Sequence, residues 1–393
     1  MKESIKIRNL GPIRDLIIED IKPATFFIGA SASGKSTILK AVALFRYLFK
    51  MLCIRSYLRD ANISRSPFRI RMESLLRNCG FDVLIKNDTY IEYTVSNNQT
   101  YVLKFANKKL SYEPNLVQRD DLVFFKVSFI SENRNMIPTW ASRVAANKGA
   151  KLGFYFHETY NDFDEATNSI KEMEIDYFRV KMNVKKTDLG KRYLLTSLNH
   201  DYASFDLTKA SSGMQSSIPM SVIARYFATD FSFKDAFRRS VLNYLYESDN
   251  LTEFHPNLEL ADMDKYVHMH IEEPEVSADP DTQVAIIDSL VRQCFVTHNM
   301  DRALSIMVAT HSPYIVNELN VLIRAFYYSL KKDYGNNNLI PRIDPSNIAV
   351  YKVVDGHLEN LIVEDNASEQ VVVNAIDLSE TMDHIYERYV SLR

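Results

Sequence analysis

The chain is expected to fold as an α/β protein with a mainly parallel core sheet, an antiparallel β lobe and helical insertions. Three observations predict this. A glycine-bracketed motif, "GASASGKS" (29–36), stands between an apolar strand and a helix. Strand, helix and strand alternate again over "YVHMHI", "PDTQVAIIDSLVRQCF" and "LSIMVAT". Residues 81–112 alternate apolar and polar positions between Asn-rich breaks, as antiparallel strands do.

Taken in order, "SIKIRNLGPI" and "DLIIEDI" read as short strands joined by a Gly-Pro turn. "ATFFIG" reads as a buried strand and "STILKAVALFRYLFKML" as a helix, with a further helix over "RMESLLRN". "FDVLIK", "YIEYTVS", "TYVLKFA" and "KLSYE" form the antiparallel set, followed by the apolar strand "LVFFKVSFI". Residues 140–175 read as mainly helical. "FRVKMNVKK" and "RYLLTSL" suit a hairpin across Asp188-Leu189-Gly190, and a helical region follows "KASSGMQSSIP" (209–219). "NIAVYKVVDGHLENLIVE" reads as a closing hairpin through Asp355-Gly356. The expected organisation is an N-terminal part over 1–139, an insertion over 140–205 and a C-terminal part over 206–393.

Composition is that of an ordinary globular chain: 393 residues, 46% hydrophobic, 25% charged, net charge −3. No global field argues for nucleic acid or membrane. Cys53, Cys79 and Cys294 are too far apart for a disulfide framework or a zinc pattern, which fits a reducing cytoplasm. The N-terminus has charges where a signal peptide needs an apolar core, and no transmembrane helix is expected. Charge is uneven. Residues 46–77 carry Arg46, Lys50, Arg55, Arg59, Arg65, Arg69, Arg71 and Arg77 against Asp60 and Glu73, while 355–387 carry nine acids and no Lys or Arg. The basic stretch is either a nucleic-acid footprint or a solvated face.

The motif "GASASGKS" fits G-x-x-x-x-G-K-[ST] in full, in the strand–loop–helix context that gives it meaning. Backbone N–H groups of Gly29, Ala30, Ser31, Ala32, Ser33 and Gly34 are expected to curve round an anion, with Thr37 in the first helical turn. Lys35 is expected to reach the β- and γ-phosphates of ATP, and Ser36 to hold Mg²⁺.

"YVHMHIEEPE" puts Glu272, Glu273 and Glu275 past a strand, where ligands of parallel sheets bind. One acid there can hold Mg²⁺ and its neighbour can deprotonate a water; alternatively, adjacent acids simply open a helix. His311 ends another strand, either facing a γ-phosphate or capping the strand. His268 and His270 share one strand face, where packed, hydrogen-bonded rings compete with a metal site.

Together and in order, these motifs resemble an ABC-type ATPase head, a P-loop NTPase fold, of the RecF/SMC/OLD-like group. They are most similar to the stand-alone AAA-15/AAA-21 ATPases of prokaryotic anti-phage systems, such as the ATPase subunits of Septu and PARIS. "IKIRNLGPIRD" resembles the family's opening strand and turn, "GASASGKS" its Walker A motif, and "FISENRN" a segment with an acid and an arginine after a strand. "ASSGMQS" matches the signature motif, "IEEPEVSADPDTQ" the Walker B and D-loop region with Pro280 and Gln283, and "ATHSP" the switch histidine. Asp279 stands where the family often has a histidine, and Met214 replaces the second signature glycine. The Q-loop glutamine has no clear position; Gln99 and Gln118 are the candidates. "LIVEDNASE" resembles the strand that opens a Toprim nuclease domain, but only 29 residues follow Glu364, and a last strand with an acidic helix is expected instead.

The resemblance implies that Glu272 and Ser36 hold Mg²⁺, Glu273 is the general base and His311 senses the γ-phosphate. Ser212, Gly213 and Gln215 would serve the ATP of a neighbouring subunit, so that two copies sandwich two nucleotides head to tail. Arg134 would lie near the nucleotide. The implied role is an ATPase subunit of a defence complex that controls a separate effector, a nuclease or toxin. The alternative is a DNA-repair or chromosome-maintenance ATPase that clamps nucleic acid through 46–77.

Overall fold

The computed structural model describes residues 1–63, 70–142, 153–188, 190–199, 203–242, 245–246, 254, 258–259, 262–330, 340–365, 370–375 and 380–391. Strands β1 (Lys2–Leu10) and β2 (Ile13–Ile18) form the expected hairpin, with Gly11 at φ +55 in its turn. Strand β3 (Ala24–Ile28) is buried along its whole length and leads into helix α1 (Lys35–Asp60). That helix is apolar round most of its circumference and correspondingly runs through the interior. After helix α2 (Met72–Asn78), strands β4 (Ile85–Ser96), β5 (Thr100–Ala106) and β6 (Lys109–Glu113) complete an antiparallel sheet of order β2-β1-β4-β5-β6.

"FDVLIK" is not a strand throughout. The N–H groups of Leu84 and Ile85 both donate to the Phe81 carbonyl, so the chain turns there and Val83 points into solvent. Phe81 is buried while β4 starts only at Ile85; a closed turn has replaced the alternation.

Strand β7 (Val123–Ile130) belongs to the core sheet, and helices α3 (Ile137–Ala141) and α4 (Phe154–Ser169) follow it. Residues 143–152 of the region read as helical lie outside the described residues. Next come β8 (Glu172–Ile175), β9 (Val180–Thr187), β10 (Gly190–Ser197) and β11 (Phe205–Asp206), an antiparallel sheet of order β11-β10-β9-β8. It contains the expected β9–β10 hairpin; Leu189 in its turn lies outside the described residues.

Helices α5 (Ser212–Arg225) and α6 (Phe233–Phe237) precede β12 (Asp264–Glu272), α7 (Pro280–Val291), β13 (Ala303–Thr310), α8 (Pro313–Ser329) and the hairpin β14 (Ile348–Val354) with β15 (His357–Asn360). The core sheet has the order β15-β14-β3-β13-β12-β7. Its pairs are parallel except β14–β15. Its strands read as nearly unbroken apolar runs because both faces are covered. The fold is therefore α/β, with a P-loop between β3 and α1, a mainly parallel core and antiparallel sheets beside it. The acidic end forms a second small hairpin, β16 (Ile362–Asp365) with β17 (Gln370–Val373), then helix α9 (Glu380–Ser391); residues 366–369 lie outside the described residues.

The register decides where the site can be. Ile28 is level with Thr310, Ala309 with Glu272, and Ile271 with Ile130. The segments leaving β3, β13, β12 and β7 thus emerge side by side at one edge.

A buried ion pair joins the antiparallel lobe to this core. Arg46 on α1 donates to both carboxylate oxygens of Glu3 on β1, at 3.0 and 2.6 Å, and Tyr93 on β4 donates to the same carboxylate. Arg46 also donates to His270 Nε2 at 3.3 Å. An arginine can only donate, so His270 accepts there and its Nδ1–H donates to the Ser128 carbonyl at 3.1 Å. His268 Nδ1 meets the Ser305 hydroxyl at 2.7 Å. Burial, followed by the Arg46 charge, pushes His268 down to about 3 and His270 well below the ordinary histidine range. Both rings are neutral packing groups.

The basic stretch 46–77 is accordingly not one exposed face. Arg46 is fully buried, and Lys50 stands 5.9 Å from the Phe124 ring with its pKa pushed down to about 8 by burial. Arg55 donates to the Asn115 carbonyl at 3.0 Å; Arg59, Arg71 and Arg77 are exposed, and Arg65 and Arg69 lie outside the described residues.

Candidate functional site

Residues 29–36 wrap from β3 into α1 as a tight loop. Gly29 has φ +156, Ala32 φ +63 and Gly34 φ +110, with Gly34 capping the helix. A Cβ on Gly34 would stand 2.5 Å from Ile13 Cδ1, and one on Gly29 would stand 2.7 Å from the Val353 carbonyl oxygen. Both glycines are therefore imposed by the close approach of β2 and β14 as well as by φ. Ala30, Ser31 and Ala32 are exposed, and Ser33 keeps a buried hydroxyl with no protein partner. That orphan hydroxyl, on a loop leading into a helix N-terminus, suits an anion such as the phosphates of ATP.

Lys35 is folded back over the loop. Its ammonium donates to the carbonyls of Gly29 and Ala30, each at 2.9 Å, and stands 3.5 Å from His311 Nδ1. Burial lowers its pKa, and the nearby charges of Glu273 and Glu275 oppose that.

The strand ends bring the acids to the same place. Glu272 is buried at the tip of β12, with the Ser36 hydroxyl and the Glu132 backbone N–H beside its carboxylate. Burial raises its pKa, opposed first by Lys40, whose ammonium is 3.6 Å away. A carboxylate and a hydroxyl side by side are the protein oxygens that Mg²⁺ uses beside phosphate and water.

Glu273 adopts φ +41, unusual for a side-chain-bearing residue. Its N–H donates to the Ala309 carbonyl at 2.8 Å, and its carboxylate meets His311 Nε2 at 3.1 Å. Glu275 accepts from the Thr310 hydroxyl at 2.8 Å and from the His311 N–H at 2.6 Å, fixing the loop that carries the histidine. Gln283 accepts from the Ser312 hydroxyl at 2.5 Å and donates to the Ala278 carbonyl at 2.8 Å, tying that loop to the start of α7.

The stretch 211–217 sits differently. Ser211 caps α5 by accepting from the Met214 N–H at 3.4 Å, and Ser211 and Ser212 are exposed. Gly213 is buried: a Cβ there would stand 2.8 Å from the Ser277 carbonyl oxygen. This chain's own backbone therefore leaves no space for a side chain at 213. Gln215 spends its amide on the carbonyls of Thr208 and Ala210, at 3.2 and 2.9 Å, and so folds the preceding turn. Among the described residues no hydrogen bond or ion pair joins 211–215 to the phosphate loop.

Two sequence expectations need correction. Gln99 and Gln118 are not at the sheet edge: their N–H groups bond to Asp121 and to Tyr101, in and beside the antiparallel lobe. The residues leaving β7 beside Glu272 are Ser131, Glu132 and Asn133, none of them a glutamine. Arg134 does not face the loop. It is fully buried and donates to the carbonyls of Ser131, Ser216, Glu272 and Glu273. Sequence reasoning missed both because nothing local says that β7 lies beside β12.

No protein family matches the chain, and no curated protein matches it. Three solved structures are similar to it at 11% identity: an SMC head bound to the C-winged helix domain of ScpA, the recombination mediator protein RecF-ATPrS of the RecFOR pathway, and a dimeric ATP-binding cassette in a post-hydrolysis state bound to ADP and Pi. The shares covered of this chain and of that chain are 91% and 96%, 92% and 98%, and 90% and 96%, with TM-scores of 0.42, 0.38 and 0.29.

Proposed function

We propose that the chain is a Mg²⁺-dependent ATPase of the ABC-head type. The observation that supports it most is the convergence of Lys35, Ser36, Glu272, Glu273 and His311 at one edge of the sheet. Lys35 exchanges the Gly29 and Ala30 carbonyls for phosphate oxygens of ATP. Ser36 and Glu272 hold the metal. Bound Mg²⁺ supplies neutralisation of phosphate charge. Glu273 takes the proton of the attacking water, and His311 holds its carboxylate in place. Phosphate release from ATP–Mg²⁺ by the purified chain, lost in Lys35→Ala and in Glu273→Gln, tests this reading. Turnover that survives both substitutions would reject it.

We further propose that the exposed Ser212 end of α5 meets ATP held by a second copy, giving a head-to-tail pair. The expected result is dimer formation by Glu273→Gln with ATP, seen by sedimentation, and its loss in Ser212→Arg. The resemblance to the ATPase subunits of Septu and PARIS supports a cytoplasmic role in controlling a separate nuclease or toxin. No described helix is long and apolar enough to cross a membrane. Coexpression with the products of neighbouring genes tests the effector: ATP-dependent release of toxicity is expected, and its absence with every neighbour would count against the role. The alternative, a nucleic-acid clamp through 46–77, would rest on the exposed Arg59, Arg71 and Arg77, since Arg46 is buried and Lys50 half-buried.

A further inference from the structure

Arg134 leaves the end of β7 and is fully buried. Placing a guanidinium in such a site is expensive, and burial pulls its pKa down to about 10, with Glu275, Glu272 and Glu273 opposing. A residue needed only to fill space would not be an arginine. What the fork provides is reach in several directions at once. Nε donates to the Ser216 carbonyl on α5 at 3.1 Å. Nη1 donates to the Ser131 carbonyl at 3.1 Å and to the Glu272 carbonyl at 2.7 Å, and Nη2 donates to the Glu273 carbonyl at 2.7 Å. One side chain therefore ties the exit of β7, the signature helix and the backbone of both strand-end acids.

The bond to Glu273 matters most. At φ +41 that residue is in a conformation costing about 1–2 kcal/mol for an L-residue, so its neighbours must hold it there. Its N–H is held by Ala309 and its carbonyl by Arg134. Those bonds and the Val276 N–H, which donates to the same carbonyl at 3.1 Å, fix its backbone, while His311 Nε2 meets its carboxylate.

We propose that Arg134 is a positioning residue that links the placement of α5 to the orientation of Glu273. A shift of α5 moves the Ser216 carbonyl, the guanidinium follows, and the Glu273 peptide turns with it. The coupling rests on the hydrolytic reading of Glu273 given above. It supplies a route by which engagement of the exposed Ser212 end of α5 acts on the base of the same chain.

Arg134→Lys tests it, because one ammonium cannot reach carbonyls on three segments. Affinity for a fluorescent ATP analogue with Mg²⁺ is expected to stay within about threefold of wild type, since Arg134 does not face the loop. The kcat is expected to fall roughly 10- to 100-fold at unchanged KM, the scale set by a misplaced reacting group. A merely structural arginine would lower the melting temperature and leave kcat intact below it; a kcat within twofold of wild type in the folded variant overturns the proposal. If the variant does not fold, hydrogen exchange in the wild type decides. With ATPγS–Mg²⁺, protection is expected to change together in 131–136, 212–217 and 272–275. A change confined to 272–275 overturns the coupling. A wild type without turnover would strike the hydrolytic reading instead, and the exchange pattern would still judge the link.

Discussion

His311 Nε2 stands 3.1 Å from Glu273 Oε1, while its Nδ1 faces the Lys35 ammonium at 3.5 Å. The lysine can only donate, so Nδ1 accepts and the proton sits on Nε2, pointing at the carboxylate. One ring thus connects the cation of the phosphate loop to the acid at the end of β12. The Glu275 carboxylate and the Thr310 hydroxyl fix the backbone that carries it.

Glu273→Gln is expected to keep this arrangement and lose the base. The amide oxygen can still accept from His311 Nε2, so nucleotide affinity should change little. Removing a general base typically costs about 10²- to 10⁴-fold in rate. Single-turnover phosphate release beside equilibrium nucleotide binding checks it. Unchanged turnover would remove Glu273 from the chemistry.

Lys35→Met is expected to act on binding before chemistry. The Gly29 and Ala30 carbonyls lie at the loop's partly open surface, so water can satisfy them and the fold should hold. A lost charge-assisted hydrogen bond is worth about 1.5–3 kcal/mol, or roughly 10- to 150-fold in affinity for ATP–Mg²⁺. Isothermal titration with the Met variant measures it, and an affinity equal to wild type would mean that Lys35 never leaves its carbonyls.

Gly213→Ala is expected to destabilise the chain without any nucleotide present. The added methyl would lie 2.8 Å from the Ser277 carbonyl oxygen, and Ser277 is itself held at φ +61. Either α5 or the 276–279 segment must move, at a cost of about 1–3 kcal/mol. Urea denaturation reads this directly. A variant as stable as wild type would mean that the glycine is there for a neighbour alone.

The phosphate loop was legible because its chemistry is contiguous: eight adjacent residues supply glycines, lysine and hydroxyl. Glu272, Glu273 and His311 were legible because each ends an apolar run, which places it at a sheet edge whatever the strand order. The contacts of Arg134 and Glu132 were not, since they require β7 to lie against β12, and a hundred-odd residues separate those strands in the chain. Gly213 shows the same limit from another side. Its need for no side chain was visible, but the Ser277 carbonyl that imposes it was not. "FDVLIK" failed for a local reason: its alternation suits a strand, while two N–H groups sharing the Phe81 carbonyl close a turn.

The Glu3–Arg46 pair gives a prediction in pH. Burial by itself would raise Glu3, but Arg46, at 2.6 Å, holds its pKa down to about 2 against an ordinary 4.5. A carboxylate whose folded pKa is depressed stabilises the fold above its unfolded pKa. That contribution is lost as the pH falls through the folded value. The window is therefore from about pH 4.5 down to about pH 2, and the contribution is on the order of 3 kcal/mol at neutral pH. Glu3→Gln leaves Arg46 charged and without its carboxylate in the interior, which costs about 3–5 kcal/mol at pH 7. Denaturant melts of wild type and variant should converge as the pH is lowered through that window. A difference that stays constant from pH 7 to pH 2.5 would show that packing, not the charge on Glu3, joins the antiparallel lobe to the core.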